Sequence, residues 1–163
     1  MILERMDSPL GDLLLLEQND ELIGLAFFHR WERVRADLER HRGALKTFTS
    51  GGTRARTAVK AYFSGELDAL ERIAWGIKGT RFQESVWCAL QKIPVGQTWT
   101  YAELASSLGR PNSYRAVANA VGANPVSIVL PCHRVVGSSG DLTGYGGGLQ
   151  RKTWLLQHEG VDV

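Results

Sequence analysis

The stretch Pro131-Cys132-His133-Arg134-Val135 holds the residue types best suited to covalent chemistry in this chain. A cysteine attacks as its thiolate, and a neighbouring imidazole can take the thiol proton. His133 is the adjacent residue, and Glu159 is a carboxylate that would orient the imidazole and strengthen it as a base. The stretch follows directly on the apolar run Val126-Ser127-Ile128-Val129-Leu130, so Cys132 is expected where a buried strand opens onto a loop. For a Cys-His pair taken alone, the alternative is a small buried apolar residue beside a hydrogen-bonded core histidine. A second candidate is the loop Gly137–Gly148, whose glycines let backbone N–H groups approach a ligand closely. No Gly-Lys-Ser/Thr follows it, so it is not a P-loop, and its plain reading is a surface loop. Tyr101 and Arg115 each stand near the start of an expected helix. Tyr101 reads as a core aromatic with a wet hydroxyl, and Arg115 as a solvated or phosphate-contacting charge. Cys88, beside Trp87, reads as structural, and His29, His41 and His158 receive no role.

Other chemistries are disfavoured. The two cysteines and four histidines form no CxxC or HxxxH pairing, so neither a disulfide framework nor a metal site is expected. No segment has the apolar length of a membrane span, and Met1–Asp7 carries acidic residues where a signal peptide would be basic and then apolar. The expectation is a cytoplasmic protein with no membrane partner. Formal net charge is +2 over 163 residues. From residue 77 onward eight basic residues face five acidic ones, a mild excess that tolerates a nucleic-acid partner without demanding one.

The elements that must hold these residues read as follows. Ile2–Met6, Leu13–Leu16 and Leu22–Phe28 are expected strands, separated by Ser8-Pro9-Leu10-Gly11 and Gln18-Asn19-Asp20-Glu21 turns. Arg30–Leu45 and Thr53–Ser64 are expected helices, with a break at Ser50-Gly51-Gly52. A boundary falls near residues 65–79, giving domains 1–76 and 77–163. In the second, Thr80-Arg81-Phe82-Gln83 and Thr100-Tyr101-Ala102-Glu103 are capping boxes that open two helices. The second of these stops at Gly109, and another helix starts near Ser113 and ends at Gly122. This pair reads either as a helix-turn-helix or as an ordinary helical hairpin. A last helix is expected from about Leu149 to His158.

Taken together, these residues resemble the O6-alkylguanine-DNA alkyltransferase (methylated-DNA–protein-cysteine S-methyltransferase) family. The resemblance is carried by Ile128–Val136, Thr143–Gly148, Lys152–Gly160, Tyr101–Ala105, Arg115–Val117 and Asn124-Pro125, in the family's order and spacing, over about half the chain. It implies an α+β fold: a small ribonuclease-H-like sheet-plus-helix domain followed by a mainly helical domain with a helix-turn-helix. It implies direct-reversal repair, in which an alkyl group leaves O6-alkylguanine, or O4-alkylthymine, for Cys132 in a single irreversible turnover without a cofactor. By the same resemblance Cys132, His133 and Glu159 form a relay through a water, Asn124 is a hinge, and Tyr101 serves the phosphate and the leaving base. Arg115 fills the stack vacated by the flipped nucleotide, with Ser113, Tyr114, Ala116 and Asn119 on the DNA-binding helix. Tyr145, Gly146, Val135, Ser138 and Ser139 border the base pocket. The implied partner is double-stranded DNA, bound through its minor groove by a monomer that can assemble cooperatively. Tyr114 and Ala118-Asn119 depart from the small residues usual at those positions, and Gly146 from a serine of some relatives. A thiol hydrolase using Cys132 and His133, and a non-catalytic lesion sensor, are the competing readings.

Overall fold

A computed structural model describes residues 1–46 and 48–163. The fold is mixed α+β and divides into two compact units. One is Met1–Lys78 with Pro125–Val129, and the other is Gly79–Asn124 with Leu130–Val163.

The first unit is built on a sheet of β1 (Ile2–Met6), β2 (Leu13–Gln18), β3 (Glu21–Phe27) and the short β4 (Thr49–Ser50). Their order is β3-β2-β1-β4, antiparallel except for the parallel β1–β4 pair. Asn19 and Asp20, both at positive φ, make the two-residue hairpin turn whose twist suits antiparallel strands. Leu14, Leu16 and Ala26 pack against Trp31, Val34 and Leu38 of α1 (Trp31–Arg42), which ends at Gly43 rather than running on to Leu45. Cross-strand partners share a face, so Glu4 opposite Leu15 lies on the other side. There the buried carboxylates of Glu4 and Glu17 accept the backbone N–H groups of Thr53 (2.6 Å) and Arg54 (2.8 Å) at the start of α2 (Ala55–Phe63). This helix has no side-chain cap of its own, so the sheet supplies acceptors for its orphan donors. Arg56 pairs with Glu4. Thr53 and Arg54, expected inside the helix, instead precede it.

The outer edge of β3 is closed by two short bridges. Leu22 exchanges bonds with Ala74 and Gly76, and Leu25 with Pro125 and Ser127. The run Val126–Leu130 is therefore not the strand that its apolar content suggests. After one bridge residue it turns sharply: Val129 N–H bonds Ser127 C=O across Ile128, which sits at φ 73. A fully apolar run signals burial but not backbone shape, and Val126, Ile128 and Leu130 are indeed completely buried.

The second unit holds α3 (Arg81–Leu90), β5 (Trp99–Thr100), α4 (Tyr101–Ser107), α5 (Tyr114–Gly122), β6 (Val135–Val136) and α6 (Leu149–His158). Both expected capping boxes form, Thr80 with Gln83 and Thr100 with Glu103. α5 packs on α3 and α4. The buried Trp87 indole donates to Ala120 C=O at 2.8 Å and locks α3 to α5. The next residue, Cys88, is exposed rather than packed inside. β5 and β6 pair in parallel, Trp99 with Val135 and Thr100 with Val136. That pairing ties the start of α4 to the segment after Cys132. Among the described residues no helix is long and apolar enough to cross a membrane.

Candidate active site

Cys132 opens a single 3-10 turn, Cys132–Arg134, which packs against α6. Its approach is a second tight reversal, with Cys132 N–H bonded to Leu130 C=O at 2.8 Å around Pro131 at φ −80, ψ 65, an inverse γ-turn. Cys132 is thus presented by a turn, not by a strand end, and is 7 % exposed. His133 is fully buried, and its Nε2 lies 2.8 Å from Glu159 Oε1. Glu159 also receives Arg134 as a two-pronged fork, Nε to Oε2 and Nη2 to Oε1, each at 2.9 Å. Burial alone would raise the Glu159 carboxyl, but His133 and Arg134 outweigh it and hold it well below the usual carboxylate range. An ionised carboxylate has no hydrogen to give, so the proton in the His133–Glu159 contact sits on Nε2. Burial pushes His133 below its ordinary value, Glu159 opposes this, and Arg134 and Lys152 add to it. The imidazole is therefore neutral, with Nδ1 as its basic nitrogen. Among the described residues Nδ1 has no hydrogen-bond partner.

Asn124, just beyond α5, donates Nδ2–H to Leu130 C=O at 2.8 Å inside the protein. The side chain thus fastens the end of α5 to the residue two places before the cysteine. Tyr101, the first residue of α4, reaches Thr143 and Gly144 C=O at 3.5 and 3.4 Å. Burial raises its hydroxyl above the ordinary phenol value, and the charge of Cys132 raises it further. Tyr101 and Cys132 are thus within electrostatic reach of each other. Val135 is buried on β6, Tyr145 is half-buried and Gly146 exposed on the loop. Ser138 and Ser139 stand exposed on a turn closed by Gly140 N–H to Gly137 C=O. Arg115, Ala116 and Asn119 form an exposed strip on α5, with Tyr114 exposed beside them and Ser113 partly covered at the helix start. The structure thus gathers Cys132, His133, Glu159, Asn124 and Tyr101 around one turn, and keeps the α5 residues on a separate, outward surface.

The family model for the DNA-binding domain of 6-O-methylguanine DNA methyltransferase matches residues 81–161. A methylated-DNA–protein-cysteine methyltransferase of Salmonella typhimurium is 43 % identical, the match covering 96 % of this chain and 94 % of that protein. The chain belongs to the methylated-DNA–protein-cysteine methyltransferase family. The fold agrees with solved structures. The crystal structure of Mycobacterium tuberculosis OGT in complex with DNA superposes with a TM-score of 0.81 at 38 % identity, covering 98 % of this chain and 92 % of that one. The O6-methylguanine-DNA methyltransferase of the archaeon Pyrococcus kodakaraensis gives 0.78 at 27 % identity, with 98 % and 99 % covered.

Two buried cations beside the Cys132 turn of this methyltransferase-family chain escape sequence reasoning. Arg134 and Lys152 are long cations, which belong on the surface by default. Yet Arg134 is 7 % exposed and Lys152 not at all. Lys152 Nζ donates to Val135 C=O at 2.6 Å and Thr143 C=O at 3.0 Å, joining β6 to the glycine loop. Burial lowers its ammonium to about 8, a fall that the nearby Cys132 charge limits. The one available signal is position. Both residues fall inside the stretches that carry the family resemblance, where a cation need not be solvated.

Proposed function

We propose that this chain repairs DNA by moving the alkyl group of O6-alkylguanine onto Cys132 Sγ in a single irreversible turnover. The observation that carries this reading is the oriented, neutral His133, with Nε2–H committed to Glu159 and Nδ1 left as a base one residue from the thiol. The thiol proton passes to Nδ1 through a bridging water. Sulfur attacks the alkyl carbon, the C–O6 bond breaks, and guanine takes a proton from the Tyr101 hydroxyl, which its raised pKa keeps protonated. The proton on His133 then restores Tyr101, so the thiol proton ends on guanine and the alkyl group on sulfur. Nucleophile, base and proton donor all come from the chain. The same sulfur chemistry extends to O4-alkylthymine.

Reaching an atom inside a duplex requires rotating the nucleotide out, at a cost of about a few kcal/mol. We assign that step to α4 and α5 as a helix-turn-helix, with α5 in the minor groove and Arg115 inserted where the base was. Ser113, Tyr114, Ala116 and Asn119 line the approach, and Tyr145, Gly146, Val135, Ser138 and Ser139 border the base. Supporting this, residues 104–140 contain neither aspartate nor glutamate, and the two arginines exposed there, Arg110 and Arg115, suit a phosphate surface. The DNA complex of the M. tuberculosis relative points the same way. The first unit reads as the ribonuclease-H-like companion domain, the domain division falling at residues 76–77, and the protein acts as a cytoplasmic monomer that can line up along DNA.

The test is to mix the protein with a duplex containing O6-methylguanine and weigh the intact protein. One methyl group is expected, on Cys132, and none in Cys132→Ser. A methyl group on Cys88, no gain at all, or repeated turnover would overturn the reading.

A further inference from the structure

Glu159 does not serve His133 alone. Its Oε1 accepts from both His133 Nε2 and Arg134 Nη2, and its Oε2 accepts from Arg134 Nε. The third guanidinium nitrogen, Nη1, is held by Ile93 C=O at 2.7 Å, just past the end of α3. A planar fork fixes the plane of a carboxylate as well as its charge. Held this way, Glu159 has one direction left for the imidazole and no proton to offer it. A carboxylate without the fork could rotate, take up a proton and exchange roles with Nε2. The imidazole could then offer N–H rather than a lone pair toward the sulfur.

We propose that Arg134 is a positioning residue that clamps Glu159 as a fixed acceptor, so that His133 always presents Nδ1 as a base to the Cys132 thiol. The proposal rests on the reading of Cys132 as the acceptor and adds how its base is kept in the working tautomer. Other charges facing the imidazole are Lys152 of α6, Glu159 at the C-cap of that helix, and Arg134 of the turn itself, while Cys132 faces Lys152. From α4, Tyr101 faces Cys132. From the end of α3 the contact to the clamp is the Ile93 carbonyl, which does not titrate. Neither Lys152, Tyr101 nor Cys132 is hydrogen-bonded to Arg134, so a shift in the base that follows its replacement is traced to the clamp.

The experiment measures the rate of Cys132 modification against pH in wild type, Arg134→Lys and Arg134→Met. Two reagents are used: iodoacetamide, with peptide mapping to separate Cys132 from Cys88, and an O6-methylguanine duplex under single-turnover conditions. Losing a cation a few ångströms from the pair makes the imidazole easier to protonate. In Arg134→Met the acid limb of both profiles should therefore move up by about 1 pH unit, with Arg134→Lys in between. An unchanged acid limb in folded Arg134→Met would show that Arg134 only supports the fold and would overturn the proposal. A second measurement needs no variant. Nitrogen NMR of His133 in the wild-type protein near neutral pH should show Nε2 protonated and Nδ1 bare, and the reverse tautomer would overturn the proposal. If iodoacetamide profiles shift while the duplex transfers no methyl group, the clamp stands and the repair reading fails.

Discussion

Lys152 offers the sharpest test of how the site is held, because a buried ammonium makes stability depend on pH. Its pKa is about 8 in the folded protein, against about 10.4 in an unfolded chain. Between those values the unfolded state binds more protons than the folded state, so stability rises with pH across that window. At pH 7 the ammonium is charged in both states, and the folded protein carries a handicap of about 3 kcal/mol. By pH 9 the folded amine is mostly neutral, and about 2 kcal/mol remains. Wild type should therefore gain about 1 kcal/mol over Lys152→Met between pH 7 and pH 9. For a chain of this size that is a relative rise of about 2–4 °C in melting temperature. Lys152→Met also strands the Val135 and Thr143 carbonyls that Nζ now serves. That cost does not change with pH. The assay is thermal unfolding of both proteins at pH 7, 8 and 9, read as the change in their difference. A gap that stays constant, or that moves the other way, would show that the ammonium is not held in the depressed state the geometry implies.

Further expectations concern separate parts of the molecule. Asn124→Ala leaves the buried Leu130 carbonyl without its donor and should lower stability by about 1–3 kcal/mol, read by denaturant unfolding, and should slow modification of Cys132 even by iodoacetamide. Arg115→Ala should slow methyl transfer from a duplex at least tenfold, about 1.4 kcal/mol in barrier, while leaving reaction with free O6-benzylguanine unchanged; equal losses would remove base rotation as its role. Glu4→Gln weakens the acceptor that holds Thr53 and Arg56 and should cost about 1–3 kcal/mol at neutral pH. Burial raises the Glu4 carboxyl, but the Thr53 and Arg56 contacts more than offset it, so its pKa is lowered. Wild type must then lose this stabilisation as pH falls below the ordinary carboxylate range, and the gap between the two proteins should close in acid.

Local signals in the sequence predicted local structure well. The two capping boxes, the Asn19-Asp20 hairpin and the glycine stops depend on residues three or four places apart, and all appear as expected. The grouping of Cys132, His133 and Glu159 was legible too, because the first two are adjacent and Glu159, which meets His133 in the fold, sits in a recognisable stretch. Less visible was everything that depends on distant partners. Nothing near Thr53 announces that carboxylates 49 and 37 residues away will cap its helix. Likewise, Arg134 and Lys152 look like surface cations until their acceptors are known. The run Val126–Leu130 misled for a related reason: complete burial was readable from its side chains, but the positive φ of Ile128 was not.

That short run has a practical consequence for dissecting the molecule. The polypeptide leaves one compact body after Asn124, contributes five residues to the other, and returns at Leu130, two residues before Cys132. Severing the chain near residue 78 would therefore not yield a tidy second unit. The excised piece would keep a greasy peptide tongue, Val126 and Ile128 included, stripped of the β3 backbone that completes its hydrogen bonds. The peptide that leads into Cys132 thus draws its hydrogen bonds from a strand that holds none of the residues gathered around that turn.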